Sequence, residues 1–416
     1  MEHPDATLDS VAPRRSWLPR LPALRYQDFR RLSASSLLNA AGMSGEQITV
    51  AWIVFDRTDS SFMVGFALAL SFVPMAVLGL PAGAVADWLD RRSLLRWLDT
   101  ALAVVLAFWA TLLALDLLVL WHIFAFTFVA GSFRAVYQPV RLSYAYDIVG
   151  PGAVVSGLSL VNFSTRGGQL FGAVLAGSFI QRFGPEYAYA GLAGLHAAAV
   201  AVLMTIRTRR VHAGTNRQPI LKNIRELGSE LRWNRTLLTL LALTGAVEVL
   251  GFSFQTALPA LARDVLGVDA EGLGIMHAVR SLGGILAILV LSTQGELRRK
   301  GVTYVGTLIL FGASLVALGS AEHFGLALAA LAVVAGMASL SDILTQALMQ
   351  LSVADHLRGR AMGIWVFAIG TAPLGHLQMG MLAAGLGVTA ALTINGAGLI
   401  VLAALAGTLS VRLRRL

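Results

Sequence analysis

The chain has 416 residues, of which 56% are hydrophobic and only 13% charged, and its mean hydropathy is +0.71. Soluble domains carry about 25% charged residues, so this composition excludes an ordinary soluble protein. The net charge of +9 lies in short segments between apolar runs, which argues against a nucleic-acid-binding protein. The lack of cysteine excludes disulfides, thiolate metal sites and thiol catalysis.

Apolar runs of about 20 residues, long enough to cross about 30 Å of hydrocarbon, follow one another along the chain. They predict twelve transmembrane helices: 32–55, 62–86, 94–115, 118–142, 157–181, 187–207, 236–258, 273–294, 302–320, 324–348, 361–384 and 387–410. The expected fold is an all-α integral membrane protein of two pseudo-symmetric six-helix bundles. The predicted domains are a basic tail 1–31, bundles 32–207 and 236–410, a linker 208–235 between them and a tail 411–416.

Basic residues mark one side of the membrane. If the amino terminus is cytoplasmic, 26 of the 32 Lys and Arg fall in cytoplasmic segments, and only Arg57, Arg182 and Arg263 fall outside. Such an excess of positive charge is typical of the cytoplasmic side. Both termini are therefore predicted to be cytoplasmic.

The linker 208–235 is the only long polar segment between predicted helices. Its apolar residues recur at helical spacing: Ile220, Leu221, Ile224, Leu227 and Leu231. This pattern predicts an amphipathic helix at the inner membrane interface. A helix packed only on protein is the alternative.

A short charged segment follows the second predicted helix. Residues Gly83 to Arg92 read GAVADWLDRR, and Gly295 to Lys300 read GELRRK at the corresponding place in the second half. The chain is therefore expected to be one half repeated, as many membrane transporters are.

Six helices, a basic linker, six more helices and this charged segment resemble the major facilitator superfamily. Four residues match its motif A: Gly83, Asp87, Arg91 and Arg92. Trp88 and Asp90 depart from the motif. Residues 258–267 and 355–363 are similar to the enterobactin-exporter-like and macrolide-efflux branch of the family.

The resemblance implies a transporter of the bacterial inner membrane, with two bundles around a central cavity lined by helices 1, 4, 7 and 10. It also implies that motif A joins the bundles on the cytoplasmic side in the outward-open state. No cofactor is expected, since the sequence has no nucleotide-binding glycine-rich loop and no metal-ligand spacing.

Polar residues within the predicted helices are the candidate site residues, because a charge at mid-bilayer costs about 2.5–3.5 kcal/mol or more. The proton-coupling candidates are Glu46, Glu248 and Asp342, since a carboxylate removed from water binds protons more readily. The candidates for the cavity and its substrate are Asn39, Arg134, Gln138, Arg166, Thr244, Gln255, Arg280 and Gln346. Each acid could instead bond a neighbouring helix, and Arg166 and Arg280 could either attract anionic groups or neutralise a buried acid.

Two further expectations concern neighbouring polar residues. Asp99, about a turn inside the third helix, is predicted to partner the motif A arginines at the interface. The isolated histidines are expected to be helix-packing residues: His196, His277 and His376.

The internal repeat suggests a gate. A shift of 208 positions places Arg134 on Asp342 and Gln138 on Gln346. We therefore predict that Arg134 and Asp342 form an ion pair between the bundles when the cytoplasmic side closes. The alternative is that each residue pairs within its own bundle.

These observations predict a secondary active transporter, and specifically a proton-coupled exporter of a small amphipathic compound such as a siderophore or drug. The alternatives are a proton-coupled importer of the same fold and a non-transporting receptor or lipid scramblase. An enzyme is not expected, since no nucleophile, base and acid can be assembled. The expected partners are a small-molecule substrate, protons and membrane lipid, without nucleic acid, and a monomer is favoured.

Overall fold

A computed structural model describes residues 22–150, 153–208, 234–293, 299–353 and 365–410, without the side chains of 79–88, 154–155 and 292–293. Twelve long helices fill these ranges. They are α1 Gln27–Thr58, α2 Ser61–Trp88, α3 Arg91–Ala114, α4 Leu120–Val149, α5 Val154–Phe183, α6 Pro185–Thr205, α7 Arg235–Val265, α8 Ala270–Thr293, α9 Lys300–Gly319, α10 Phe324–Leu351, α11 Trp365–Leu386 and α12 Val388–Leu409. The predicted linker helix and both tails lie outside the described residues, apart from Pro22 to Arg31.

The all-α prediction is confirmed, since the described residues contain no strand. Nine of the described helices are long and apolar enough to cross a membrane, and the other three are α1, α4 and α5. Those three contain many of the interior polar candidates, including Glu46, Arg134 and Arg166. Burial of these groups within the protein offsets the lower hydropathy of their helices.

Two helices end seven residues beyond their predicted ends. Helix α4 continues through Pro139 to Val149, seven residues beyond the predicted end. Helix α7 continues through Pro259 to Val265, with π-helical turns at Val247–Gly251 and Leu261–Val265 and a 3₁₀ segment between them. Local changes of helix type allow a chain to pass a proline without ending the helix.

Packing within the two halves follows the same plan. In the amino-terminal half α1 packs on α5, α2 on α4 and α3 on α6. In the carboxy-terminal half α7 packs on α11, α8 on α10 and α9 on α12, which are the equivalent pairs. The predicted repeat of two six-helix bundles is therefore present in the tertiary structure.

The halves meet along two equivalent seams, α5 with α8 and α2 with α11. We call the side where α2 ends and α3 begins the basic face, and the side of the α1–α2 and α7–α8 turns the opposite face. Near the opposite face a Cβ on Gly274 would lie 2.7 Å from the carbonyl oxygen of Ala173, so α5 and α8 approach closely there. Helices α4 and α10 make no comparable contact among the described residues.

Gly172 tests the close packing of α1 on α5. A Cβ at this position would overlap the carbonyl oxygen of Ala41, whereas a Cβ on Gly167 of the same helix meets nothing within 4 Å. Overpacking costs about 1–3 kcal/mol, so we expect Gly172→Ala to lower the melting temperature in detergent by several degrees. Gly167→Ala is the matched control and is expected to change it little. Equal melting temperatures would contradict the α1–α5 contact.

Candidate functional site

An ion pair joins α1 and α4 inside the amino-terminal half. Arg134 Nη2 lies 3.0 Å from Glu46 Oε2, and the exposed fractions of the two side chains are 21% and 5%. Both residues lie far from the ends of their helices. Each charge offsets the cost of burying the other, so loss of either is expected to leave its partner uncompensated.

The carboxy-terminal half repeats this position with a different charge. Glu248 lies in the first π-helical turn of α7, the helix that corresponds to α1 with its Glu46. Asp342 on α10 occupies the position that corresponds to Arg134 on α4. The charge of Asp342 acts on Glu248, which is buried. The corresponding positions therefore carry two acids where the other half has an acid and an arginine.

Arg166 is the cation that acts on Asp342, and it belongs to the other half. A Cβ added to Gly284 of α8 would lie 3.8 Å from Arg166 Nη1 and 2.7 Å from Ser339 Oγ of α10. Arg166 thus reaches from α5 to the place where α8 and α10 meet. Asp342 follows Ser339 by almost one helical turn, but the described contacts include no direct salt bridge from Arg166 to Asp342.

Arg280 adds a second guanidinium to this region. Its Nη1 donates a hydrogen bond of 2.7 Å to Gln255 Oε1 on α7, while its Nε is buried without a hydrogen-bond partner. The charge of Arg166 acts on Arg280. Of the two roles considered for these arginines, Arg166 faces an acid, whereas Arg280 faces an amide and another arginine.

The predicted pair of Arg134 with Asp342 is not formed in this structure. Arg134 binds Glu46 within its own half, and Arg166 is the cation near Asp342. Because α4 and α10 do not pack together here, the pair stays a prediction for a state in which the basic face is closed.

Asp99 lies in a buried polar cluster of the amino-terminal half. Asn39 Nδ2 donates to Asp99 Oδ1 at 2.6 Å, and His196 Nδ1 lies 2.9 Å from the same oxygen. The prediction that Asp99 partners the motif A arginines is wrong, because Asp99 is fully buried and bound by α1 and α6. Asn39 accordingly faces Asp99 rather than the space between the halves, and His196 holds a carboxylate in addition to packing.

The remaining polar candidates make local contacts. Gln138 is exposed and its Oε1 accepts a 2.7 Å hydrogen bond from Arg141 Nη2. The hydroxyl of Thr244 donates to the carbonyl of Leu240 at 2.7 Å within α7. Gln346 is half-buried on α10, one turn after Asp342.

The motif A arginines contact their own half. Arg91 Nη1 lies 2.7 Å from Asp147 Oδ2 on α4, and Arg92 Nη1 donates to the carbonyl of Ile206 at 2.9 Å. The side chains of Gly83 and Asp87 lie outside the described residues. In this structure the described arginines therefore join α3 to α4 and to the end of α6, and their proposed role between the bundles stays a prediction.

Residues 19–416 match the family described as transmembrane secretion effector. The chain belongs to that family. Its members are major facilitator transporters and not enzymes, as the sequence predicted. The chain is thus a multi-pass membrane transporter.

Two curated relatives cover nearly the whole transporter. One is the staphyloferrin A transporter of Staphylococcus aureus, which is 24% identical over 88% of this chain and 91% of its own length. Another is the enterobactin exporter EntS of Citrobacter koseri, which is 22% identical over 97% of this chain and 96% of its own length. Both fall in the branch that the sequence resembles.

Solved transporters share the fold. A variant of the nucleoside transporter NupG has a TM-score of 0.75 at 15% identity and covers 92% of this chain and 99% of its own. A bacterial homolog of the human lysosomal transporter Spinster, inward-facing and unoccupied, has a TM-score of 0.70 at 14% identity and covers 95% and 99%. At these identities the likeness concerns the fold alone.

Two ion pairs join the halves of the transporter at the opposite face. Arg263 at the end of α7 binds Asp59 in the α1–α2 turn, and its Cζ lies 4.2 Å from the ring centre of Phe55. Arg182 at the end of α5 lies 3.6 Å from Glu271 at the start of α8. Opening of this face requires that both pairs separate.

Sequence reasoning missed both the Asp99 cluster and these opposite-face pairs. Asp99 is an isolated acid among apolar residues of α3, and Asn39 and His196 lie at a similar distance from the basic face. The similar distance of these three residues from the basic face is the signal that could have grouped them. Arg182 and Arg263 were counted only as charges outside the cytoplasm, although acidic residues occupy the adjoining turns.

The Asp99 cluster predicts a stability effect. Asp99→Ala leaves the Asn39 amide and the His196 ring without their acceptor, and each unsatisfied buried group costs about 1–3 kcal/mol. We expect a clear drop in the melting temperature of the purified protein in detergent. Asp56→Ala, which changes an exposed acid at the end of α1, serves as the control. A melting temperature that matches the control would show that the cluster contributes no stability.

The opposite-face pairs predict a change in accessibility. The natural chain has no cysteine, so a cysteine introduced by Ser61→Cys, at a buried position on α2, can be labelled alone with a membrane-impermeant maleimide. Exposed ion pairs contribute about 0.2–1 kcal/mol each, and we expect Arg263→Gln to speed labelling up to about fivefold. Arg57→Gln is the control, because Arg57 binds the Leu118 carbonyl within its own half. Equal rates in the two variants would argue against a closing role for Arg263.

Proposed function

We propose that this transporter is a secondary active, proton-coupled exporter of a small amphipathic organic compound of the siderophore or drug type. It lies in the bacterial inner membrane, with the basic face and both termini toward the cytoplasm. The bundles 32–207 and 236–410 move relative to each other, so that the space between them opens alternately to each side.

The observation that carries proton coupling is the buried Glu46–Arg134 pair. The carboxylate of Glu46 holds the guanidinium at 3.0 Å while it is ionised. Protonation removes the negative charge and frees Arg134 to find another acceptor. A proton bound at Glu46 can therefore change which helices α4 is held against, and that difference in contacts is what a ligand needs in order to shift a conformational equilibrium.

The direction and cargo class rest on different support. The basic residues predict a cytoplasmic basic face, and α4 and α10 make no close contact among the described residues. A state open to the cytoplasm is the one that loads cargo for export. The enterobactin exporter and the staphyloferrin A transporter, both full-length relatives, support an iron chelator or a compound of similar size.

Replacement of Glu46 tests the coupling. Glu46→Gln cannot release a proton in the physiological range, so we expect it to abolish gradient-driven accumulation but to retain downhill exchange of cargo. The measurement is uptake of candidate siderophores into inside-out vesicles whose lumen is acidified. Glu322→Gln, at an exposed glutamate before α10, is the matched control and should accumulate cargo normally.

Two outcomes would contradict the proposal. Unchanged accumulation in Glu46→Gln would remove Glu46 from the coupling step. Accumulation by the natural protein only when the vesicle lumen is alkaline would reverse the proposed direction and favour an importer.

A further inference from the structure

Three interior charges lack a direct partner. Within the described helices Glu46 is bound by Arg134, and Asp99 by Asn39 and His196. By contrast, no hydrogen bond or direct salt bridge to a described residue is formed by the following side chains: Arg166, Glu248 and Asp342. A charged group in a water-poor interior is costly unless something binds it, so this set has capacity for a ligand.

These groups form a line from positive to negative. A Cβ on Gly284, one helical turn after Arg280, would lie 3.8 Å from Arg166 Nη1. The same Cβ would lie 2.7 Å from Ser339 Oγ, almost one turn before Asp342, and the charge of Asp342 acts on Glu248. The line crosses the α5–α8 seam, because Arg166 reaches Gly284 of α8. It therefore has two guanidinium groups at one end and two carboxylates at the other.

The members of this line keep part of their surface exposed. Arg166, Arg280 and Asp342 are half-buried, and Glu248 is 8% exposed. Gln255 orients Arg280 through one Nη1 hydrogen bond, and no described residue accepts a hydrogen bond from Nη2 of Arg280. Guanidinium groups with free N–H donors bind carboxylates well, and paired carboxylates attract an ammonium group.

We propose that this line is the cargo site of the transporter and that it binds a zwitterion. The carboxylate of the cargo lies between Arg166 and Arg280, and its ammonium group faces Asp342 and Glu248. A cargo without the carboxylate leaves the two arginines without a counter-charge, and a cargo without the ammonium group leaves the two acids without one. This inference rests on the proposed transport of a small organic compound and names its chemical class.

Three dansyl probes of the same length test the proposal. Nε-dansyl-lysine carries both an ammonium and a carboxylate, dansylcadaverine lacks the carboxylate, and Nα-acetyl-Nε-dansyl-lysine lacks the ammonium. Binding to the purified full-length protein in detergent is followed by dansyl fluorescence and corrected with protein-free micelles. We expect the zwitterion to bind at least about tenfold more tightly than either analogue, which corresponds to about 1.4 kcal/mol.

Two variants show which protein charge recognises which group. Arg166→Gln should remove the preference for dansyl-lysine over dansylcadaverine but keep its preference over the acetylated probe. Asp342→Asn should do the reverse. Arg57→Gln and Asp56→Ala are the matched controls, since both residues lie toward the opposite face outside this line, and both should keep the natural pattern.

The outcomes separate this inference from the proposed function. Equal binding of the three probes, or no binding of dansyl-lysine by the natural protein, overturns the zwitterion site. If Asp342→Asn keeps its preference over the acetylated probe, the acids do not bind the ammonium, and the proposal fails in that half. Because binding in detergent needs no proton gradient, these results stand whether or not Glu46 couples transport to protons. Melting temperatures of the variants exclude misfolding, and the comparison of probes on the natural protein does not depend on any variant.

Discussion

A charge inside the membrane needs a partner within a few ångströms, and the two halves of this transporter meet that requirement differently. In the amino-terminal half Arg134 neutralises Glu46, and Asn39 and His196 bind Asp99. In the carboxy-terminal half Glu248 and Asp342 form no hydrogen bond or direct salt bridge to the part of the chain that the structure describes. Among the described residues, the cation that acts on Asp342 is Arg166, which comes from the other half. The electrostatic balance of one half thus depends on the seam between the two, and relative movement of the halves must change it.

Small residues bring the helices of the seams close together. Gly177 and Gly274 bring α5 and α8 into backbone contact near the opposite face. The ion pairs Arg263–Asp59 and Arg182–Glu271 close that face, but they are exposed and so contribute little energy each. By contrast, the described arginine Arg91 on the basic face bonds Asp147 within its own half. Weak, breakable contacts between halves and strong contacts within them favour rigid-body motion.

The helices and the repeat could be predicted from the sequence because both follow from local pattern: apolar runs fix each span, and the 208-position shift relates α4 to α10. The partner of each buried charge could not be predicted from the sequence, because a repeat shows which positions are equivalent but not which helices lie side by side. Arg134 binds Glu46 on α1 of its own half. Asp99 is fully buried in the protein, although its position near the start of α3 predicts a place at the membrane interface. Asp90, a departure from motif A, has a local explanation: its carboxylate caps α3 by accepting from the Ser93 backbone N–H at 3.1 Å.

The second half has an acid, Asp342, at the position that corresponds to Arg134, and this difference suits the two halves to different roles. In the Glu46–Arg134 pair each charge is neutralised by the other, so neither group is available to bind cargo. The pair still responds to a proton, since protonation of Glu46 releases the arginine. An acid pair cannot satisfy itself and therefore favours an external cation. Under the proposed mechanism the first half handles the proton and the second half handles the cargo, with Arg166 extending from the first into the second. A cargo carboxylate that binds Arg166 competes with Asp342 for the same guanidinium. Cargo binding then alters a charged contact across the α5–α8 seam, in addition to the Arg182–Glu271 pair near the opposite face. This provides a direct physical route from an occupied site to a change in how the halves are held together.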